Sequence, residues 1–319
     1  MSILLKKAGI LTTIQDLGRH GYQRFGINPG GAMDRTAARL TNLLLSNNEM
    51  DAVLEMHFPA AEIEFETHCR FALGGADLAA QLDGHEIDNW RNYNAEKGSI
   101  LRFAEKRLGN RVYLAVEGGF DVPEWLGSRA TNLAAGIGGF DGRRLRNGDR
   151  LPFVAHSFEI RPPERIRRVS PTLIPLYSGF PTLRVIPGAE FDLLDESSKV
   201  ALELQTFGLS RNSDRMGFRL KSDPLRLQTP IEMVSSAVSF GTIQLLPDGQ
   251  LILLMADHQT SGGYPRIAHV INHDLPVAGQ LGGHDKVGFH FESIEKSEEL
   301  NAAFEHDMTL FRVGCQLGR

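Results

Sequence analysis

The sequence predicts a mainly β protein with a few short helices. The first observation is a set of dipeptides in which Asp or Asn precedes Gly between apolar runs, as tight hairpin turns with positive φ angles require. These dipeptides are Asp83-Gly84, Asp141-Gly142, Asn147-Gly148 and Asp248-Gly249. The second observation is that the neighbouring runs are rich in Val, Ile, Phe, Tyr and Leu, which favour strands. The third is that few segments space their apolar residues as a helix does.

The individual elements follow from these patterns along the chain. Residues 70–87, 99–120 and 237–256 each combine a strand, a turn and a second strand. Helical spacing occurs in residues 33–48, where Asp34 is placed to cap, and again in 191–204 and 297–311. Antiparallel sheets of this kind close into barrels or sandwiches.

One stretch predicts a boundary between two folded units. Residues 157–181 are rich in proline and arginine and have little periodicity, which is typical of an exposed connection. We therefore expect one unit in residues 1–170, with a helix near 34–47, and a second in residues 171–319.

Composition argues against several classes of partner. The net charge is −5, with 34 basic and 39 acidic residues, so there is no basic surplus for nucleic acid. The longest apolar runs fall far short of the roughly 20 residues of a membrane-spanning helix, and the amino terminus does not resemble a signal peptide. Cys69 and Cys315 are too far apart for a CxxC pair. We expect a cytoplasmic protein that binds neither nucleic acid nor membrane.

Common catalytic motifs are absent from the sequence. It contains no GxxxxGK[ST], GxGxxG, GxSxG or HExxH pattern. His258, His269, His273 and Asp274 are residue types that bind metals, but they fall on different predicted elements. We therefore predict no metal site.

Polar residues concentrate in three glycine-containing segments, residues 9–42, 209–220 and 251–270. The last segment begins as an apolar strand and turns polar within a few residues. Arginines in the second are suited to holding a carboxylate or phosphate bidentately. The alternative interpretation is ordinary turn chemistry, a helix cap and surface ion pairs.

Taken together, these segments resemble a known family. The sequences TTIQDLGRHGYQ (12–23), GGAMDRTAARLTNLLL (30–45), SRNSDRMGFRL (210–220), GTIQLLPDG (241–249) and DHQTSGGYPRIAHV (257–270) resemble biotin-dependent carboxyltransferase-like proteins of the family that contains the C subunits of 5-oxoprolinase. They are also similar to the second part of the carboxyltransferase domain of urea carboxylase. The resemblance extends over nearly the whole chain, although Ser236 stands where the family often has Glu.

The resemblance implies tandem cyclophilin-like β-barrel units and one component of a larger enzyme. Such proteins act with partner subunits of types A and B in the ATP-dependent opening of 5-oxoproline to glutamate, so ATP is expected in the assembled complex. No biotin is expected to be attached to this chain. One alternative is carboxyl transfer from carboxybiotin to urea or a similar small amide. Another is a non-catalytic protein that regulates or scaffolds a partner.

Both enzymatic interpretations place negative charge on an amide or ureido oxygen, and this predicts the site residues. Asp16, Arg19, Arg215 and Asp257 are the predicted catalytic residues: the arginines, with Gln244 and Gln259, as donors to that oxygen, and the carboxylates for proton handling or for orienting the donors. The predicted substrate-binding residues are Gln15, Asn212, Gln244, Gln259, Gly262, Gly263 and Tyr264. The two glycines allow close backbone approach, and the tyrosine offers a flat wall.

Overall fold

A computed structural model describes residues 1–154, 166–229 and 231–317. The described chain divides into two compact units. Unit 1 comprises Met1–Arg19, Gly30–Pro175 and Glu305–Arg319, and unit 2 comprises His20–Pro29 and Leu176–Phe304. The division of the main chain thus falls a few residues after the predicted position, while residues 20–29 and 305–319 belong to the unit that the simple two-part division did not give them. Part of the predicted connection, residues 155–165, lies outside the described residues.

Unit 1 is built from two antiparallel sheets and one helix. Its elements are β1 (Ser2–Lys7), β2 (Thr12–Gln15), α1 (Arg35–Leu44), β3 (Val53–His57), β4 (Glu62–Phe65), β5 (Cys69–Asp77), β6 (Ala80–Leu82), β7 (His85–Glu86), β8 (Arg91–Ala95), β9 (Ile100–Phe103), β10 (Leu108–Val116) and β11 (Arg150–Pro152). The strand orders are β11-β1-β4-β9-β6-β7 and β2-β3-β10-β5-β8. Both sheets contribute to one apolar core, in which the rings of Phe65 and Phe71 lie 4.9 Å apart.

Unit 2 contains a closed barrel. Its elements are β12 (Thr182–Pro187), α2 (Glu196–Leu204), β13 (Phe207–Leu209), β14 (Gly217–Lys221), β15 (Ser236–Ala237), β16 (Thr242–Leu245), β17 (Leu251–Leu254), β18 (Ser261–Gly262), β19 (Arg266–Val270), α3 (Leu275–Gly279), β20 (Lys286–Phe291) and the first part of α4 (Ile294–Leu317). The seven barrel strands have the order β12-β19-β16-β17-β14-β13-β20. Buried leucines and phenylalanines of these strands form the barrel core.

The prediction of a mainly β protein with few helices is confirmed, and the barrel is present in unit 2. Asp34 caps α1, since its carboxylate accepts a hydrogen bond of 2.8 Å from the backbone N–H of Ala37. Asp83-Gly84 and Asp248-Gly249 form hairpin turns between β6 and β7 and between β16 and β17.

Two of the predicted hairpin dipeptides lie elsewhere. Asp141-Gly142 and Asn147-Gly148 fall in the irregular segment between β10 and β11. Asp141, Gly142 and Gly148 do have positive φ angles, but the N–H of Gly142 donates to the carbonyl of Gly138 within the segment and not to a neighbouring strand. The dipeptides therefore indicated local backbone conformation correctly, although not strand pairing.

Among the described residues, no helix combines the length and apolar composition needed to cross a membrane.

Candidate functional site

A buried ion pair fixes one end of the β14–β17 pair in unit 2. The strand register aligns Gly217 with Leu254, which brings Arg215, just before β14, beside Asp257, just after β17. The Arg215 guanidinium donates from Nε to Asp257 Oδ2 at 2.8 Å and from Nη2 to Oδ1 at 3.0 Å. The N–H of Asp257 also donates to the carbonyl of Arg215 at 2.8 Å. The exposed fractions of the two side chains are only 6% and 12%, so this bidentate pair rigidifies the rim of the barrel.

Gln244 forms the floor of the candidate site. It lies on β16, is completely buried, and donates from Nε2 to the carbonyl of Tyr264 at 3.1 Å. Its Oε1 is buried and has no hydrogen-bond partner among the described residues. Gly262 packs directly against this amide, since a Cβ at position 262 would lie 2.6 Å from Nε2. Position 262 therefore has no room for a side chain.

A cavity of about 360 Å³ opens beside Gln244. This volume lies within the range of roughly 300 to 1,000 Å³ that is usual for small-molecule sites. The cavity is lined by Arg219, Gln244, Leu246, Pro247, Asp248, Ile252, Gln259 and Tyr264. It thus combines two amides, one guanidinium and one carboxylate with an apolar wall, a composition suited to a small polar molecule.

Three of the predicted substrate-binding residues meet in this cavity: Gln244, Gln259 and Tyr264. Gln259 follows His258, which is buried and donates from Nδ1 to the carbonyl of Gln259 at 2.6 Å, so the backbone that carries the amide is fixed.

The other predicted residues of unit 2 do not line the cavity. Gly263 is exposed, and a Cβ there would make only ordinary contacts, the nearest at 3.5 Å to Ser235 Oγ. Asn212 is exposed on a turn, where its N–H donates to Ser210 Oγ. Ser236, the position that departs from the family pattern, pairs with Gly262 between β15 and β18.

In unit 1, Asp16 lies immediately after β2 and holds two loops together. Its carboxylate accepts hydrogen bonds from the N–H of Gly18 at 2.7 Å, from Ser128 Oγ at 2.8 Å and from the N–H of Arg129 at 2.5 Å. Only 5% of the residue is exposed. Arg35 is also buried nearby, and this burial lowers the pKa of its guanidinium, with the Asp16 charge acting in the opposite direction.

Arg19 and Gln15 are buried beside the same loop. The Arg19 side chain donates to the carbonyl of Ala130, and its guanidinium carbon lies 5.0 Å from the centre of the Trp125 ring. Gln15 donates from Nε2 to Thr13 Oγ1 at 3.1 Å and to the carbonyl of Thr131 at 3.3 Å. The three predicted residues of unit 1 therefore converge on the segment 128–131.

The histidines considered as metal ligands have other surroundings. His269 contacts Thr242 Oγ1 at 3.1 Å, and burial lowers the pKa of its imidazole. Burial also lowers the pKa of His273, whose neighbour Asp274 binds the guanidinium of Arg184. Across the part of the chain that the structure describes, no group of three or more His, Cys, Asp or Glu residues is placed to hold a metal ion.

Sequence reasoning missed several cavity residues. Arg219, Asp248 and Ile252 line the cavity but were not among the predicted site residues. The alternation on β14 was a usable signal, because buried Phe218 and Leu220 flank an exposed Arg219. In unit 1, Ser128 was missed, and its contact with Asp16 spans 112 positions, which no local pattern indicates.

These features define a β-barrel protein with a small-molecule cavity lined by amides in its second unit. The chain belongs to the carboxyltransferase-domain family described as subdomain A and B, whose model matches residues 25–291. It is 38% identical over 288 residues to the C subunit of 5-oxoprolinase from Haemophilus influenzae, covering 90% of each chain. The corresponding Escherichia coli protein is 37% identical and is covered to 92%, over 93% of this chain.

A solved structure supports the same assignment. The crystal structure of the urea amidolyase of K. lactis matches 97% of this chain with a TM-score of 0.90 and 27% sequence identity. This chain corresponds to 20% of that protein's length.

Proposed function

We propose that the chain is the C subunit of an ATP-dependent 5-oxoprolinase, which opens the lactam of 5-oxoproline to give glutamate together with its A-type and B-type partners. The supporting similarity is to the C subunits of two 5-oxoprolinases over nine-tenths of their length. The observation that carries the proposal is the Gln244 amide, whose oxygen is buried without a partner in the floor of a cavity of suitable size. A buried acceptor of this kind favours a ligand that brings an N–H group, as a lactam does.

The cavity residues then have separate roles in binding. Gln244 Oε1 accepts the lactam N–H, and the Gln259 amide donates toward the lactam oxygen, where negative charge develops as the ring opens. The Tyr264 ring covers one side of the substrate ring. Gly262 keeps the Gln244 amide in place by excluding any side chain between them.

The ion pair and the unit 1 cluster are positioning groups in this proposal. Because the Arg215 guanidinium already donates twice to Asp257, we propose that the pair orients the loop carrying Gln259 and does not transfer a proton. Asp16, whose carboxylate accepts three hydrogen bonds, orients the loop 128–131 together with Arg19 and Gln15. The catalytic roles predicted for these four charged residues remain predictions.

ATP is proposed as a co-substrate of the assembled complex. The cavity of unit 2 does not fit a triphosphate, because it offers one guanidinium and one carboxylate where several cationic or N–H donors are needed. No step proposed for this chain therefore involves ATP. A cytoplasmic location also remains a prediction.

The test is to co-purify the chain with its A- and B-type partners and to measure ATP-dependent release of glutamate from 5-oxoproline. We expect Gln244→Met to reduce the rate by about tenfold or more, since one buried hydrogen bond to the substrate is lost. Gln228→Met is the matched control, because Gln228 bonds to the carbonyls of Asp192 and Leu194 and does not line the cavity. A well-formed complex that releases no glutamate contradicts the proposal.

A second candidate function is carboxyl transfer from carboxybiotin to urea or another small amide. The family match and the likeness to a urea amidolyase favour it. Carboxylation of urea by a complex that is inactive on 5-oxoproline identifies this function. Full cellular function in the Gln244→Met variant instead favours a non-catalytic, scaffolding role.

A further inference from the structure

Arg219 occupies a defined position in the cavity wall. On β14 it aligns with Ile252 of β17, which in turn aligns with Gln244 of β16. All three line the cavity, on the face of the strands opposite the buried Phe218 and Leu220. The register therefore places a guanidinium two strands away from the buried amide of Gln244. Because successive strands lie about 5 Å apart, one small molecule can reach both groups.

The guanidinium of Arg219 has no carboxylate partner. Three other arginines of unit 2 each form a bidentate pair: Arg184 with Asp274, Arg215 with Asp257 and Arg266 with Glu190. Among the residues that the structure describes, the Arg219 side chain makes no hydrogen bond and no ion pair. Only its backbone N–H is engaged, donating to Ser213 Oγ at 3.0 Å.

The other charged group of the cavity does not neutralise Arg219. Asp248 is exposed in the β16–β17 turn, and its Oδ1 accepts a hydrogen bond of 3.0 Å from the N–H of Gln250. Its carboxylate thus has the ordinary role of bracing an Asp-Gly turn. Since like charges repel, Asp248 also works against an anionic group placed close to it.

We propose that Arg219 makes this cavity selective for a small cyclic amide that carries a carboxylate, by binding that carboxylate bidentately. This inference rests on the proposed function, because it names the substrate class of the same site. The amide end of the ligand meets Gln244 and Gln259, its apolar ring carbons contact Ile252, and its carboxylate reaches Arg219. A neutral amide such as urea leaves the guanidinium without its anion.

The test compares two ligands that differ only in the carboxylate: 5-oxoproline and 2-pyrrolidone. Their binding to the full chain, and to its complex with the partner subunits, is followed by ligand-observed NMR. We expect 5-oxoproline to bind at least about tenfold more tightly, as one charge-assisted pair inside a cavity provides. Arg219→Gln abolishes this preference and leaves the affinity for 2-pyrrolidone unchanged.

Two further variants serve as controls. Arg226→Gln removes the same charge from an exposed position of unit 2 that does not line the cavity, so the preference for the carboxylate persists. Asp248→Asn removes the competing carboxylate, so the affinity for 5-oxoproline stays the same or rises. A decrease in that affinity contradicts the assignment of the anion site to Arg219.

Equal affinity for the two ligands, no binding of either, or a preference that survives Arg219→Gln overturns the inference. These outcomes are separate from the failure of the proposed function. Glutamate release without a carboxylate preference that depends on Arg219 overturns only the inference. The preference without glutamate release by the complex leaves the carboxylate site in place and removes the oxoprolinase assignment.

Discussion

The amide of Gln244 and the backbone of Gly262 are in direct contact, because a Cβ at position 262 would lie 2.6 Å from Gln244 Nε2. The neighbouring Gly263 has ordinary space, with 3.5 Å to the nearest atom. Neither glycine has a positive φ angle, so the difference between them is one of packing. The two positions therefore separate the effect of a methyl group on the site from its effect on the local backbone.

We expect Gly262→Ala to lower the affinity for a small amide ligand by about tenfold or more. The added methyl group displaces the Gln244 amide, and a misplaced hydrogen-bonding group loses at least one hydrogen bond to the ligand. Gly263→Ala should leave the affinity within about twofold. Both variants are tested by ligand titration of the full chain, with circular dichroism to confirm that each is folded. Equal losses in the two variants would show that the contact with Gln244 is not what requires a glycine.

The Arg215–Asp257 pair gives a prediction about stability. Removing one partner leaves the other charge buried, so Arg215→Gln should lower the free energy of unfolding by about 3 kcal/mol. The double variant Arg215→Gln with Asp257→Asn should lose less than the sum of the two single variants. Arg219→Gln is the matched control, since that guanidinium has no partner and its loss should change stability by under about 0.5 kcal/mol. Urea unfolding of these variants and the native protein measures the differences, and strict additivity would contradict the pairing.

Asp16 gives a corresponding prediction for unit 1. Asp16→Ala removes the acceptor of three hydrogen bonds and leaves buried donors, including the N–H groups of Gly18 and Arg129, without it. We expect a loss of about 2 to 4 kcal/mol in the free energy of unfolding. The exposed Asp121 provides the control, because Asp121→Ala should be nearly neutral. Hydrogen exchange at Arg129 should also accelerate in Asp16→Ala; unchanged protection there would remove the bracing role.

The sequence predicted local features better than long-range ones. The Asp34 cap and the Asp248-Gly249 hairpin depend on residues only a few positions apart, and both are present. The pairing of Arg215 with Asp257 spans 42 positions and follows from the register of β14 with β17, which local patterns do not contain. The resemblance to a family supplied both residues but not their contact.

The cavity illustrates the same limit. Gln244, Gln259 and Tyr264 were predicted and do meet, whereas Asn212 was predicted from a polar segment and lies on an exposed turn. Arg219 was passed over because an arginine that lines a cavity and one on an ordinary surface have the same local sequence. Its distinguishing feature is the absence of a partner carboxylate among the described residues, which only the tertiary arrangement reveals.

The Glu190–Arg266 pair predicts how stability changes in acid. Arg266 donates to the two carboxylate oxygens at 2.9 and 2.8 Å, and these hydrogen bonds hold the pKa of Glu190 below its usual range. A lowered folded-state pKa means that the contribution is complete above the unfolded pKa of about 4.3 and is lost as the pH falls through the folded value. The free-energy difference between the native protein and Glu190→Gln should therefore be constant above about pH 5 and shrink toward pH 3. Glu232→Gln, at an exposed position without an ion pair in the described chain, should show no such trend in the same urea titrations. A Glu190→Gln difference that stays constant down to pH 3 would mean that the ion pair does not depress this pKa, and that the hydrogen bonds to Arg266 stabilise the neutral and charged carboxyl groups equally.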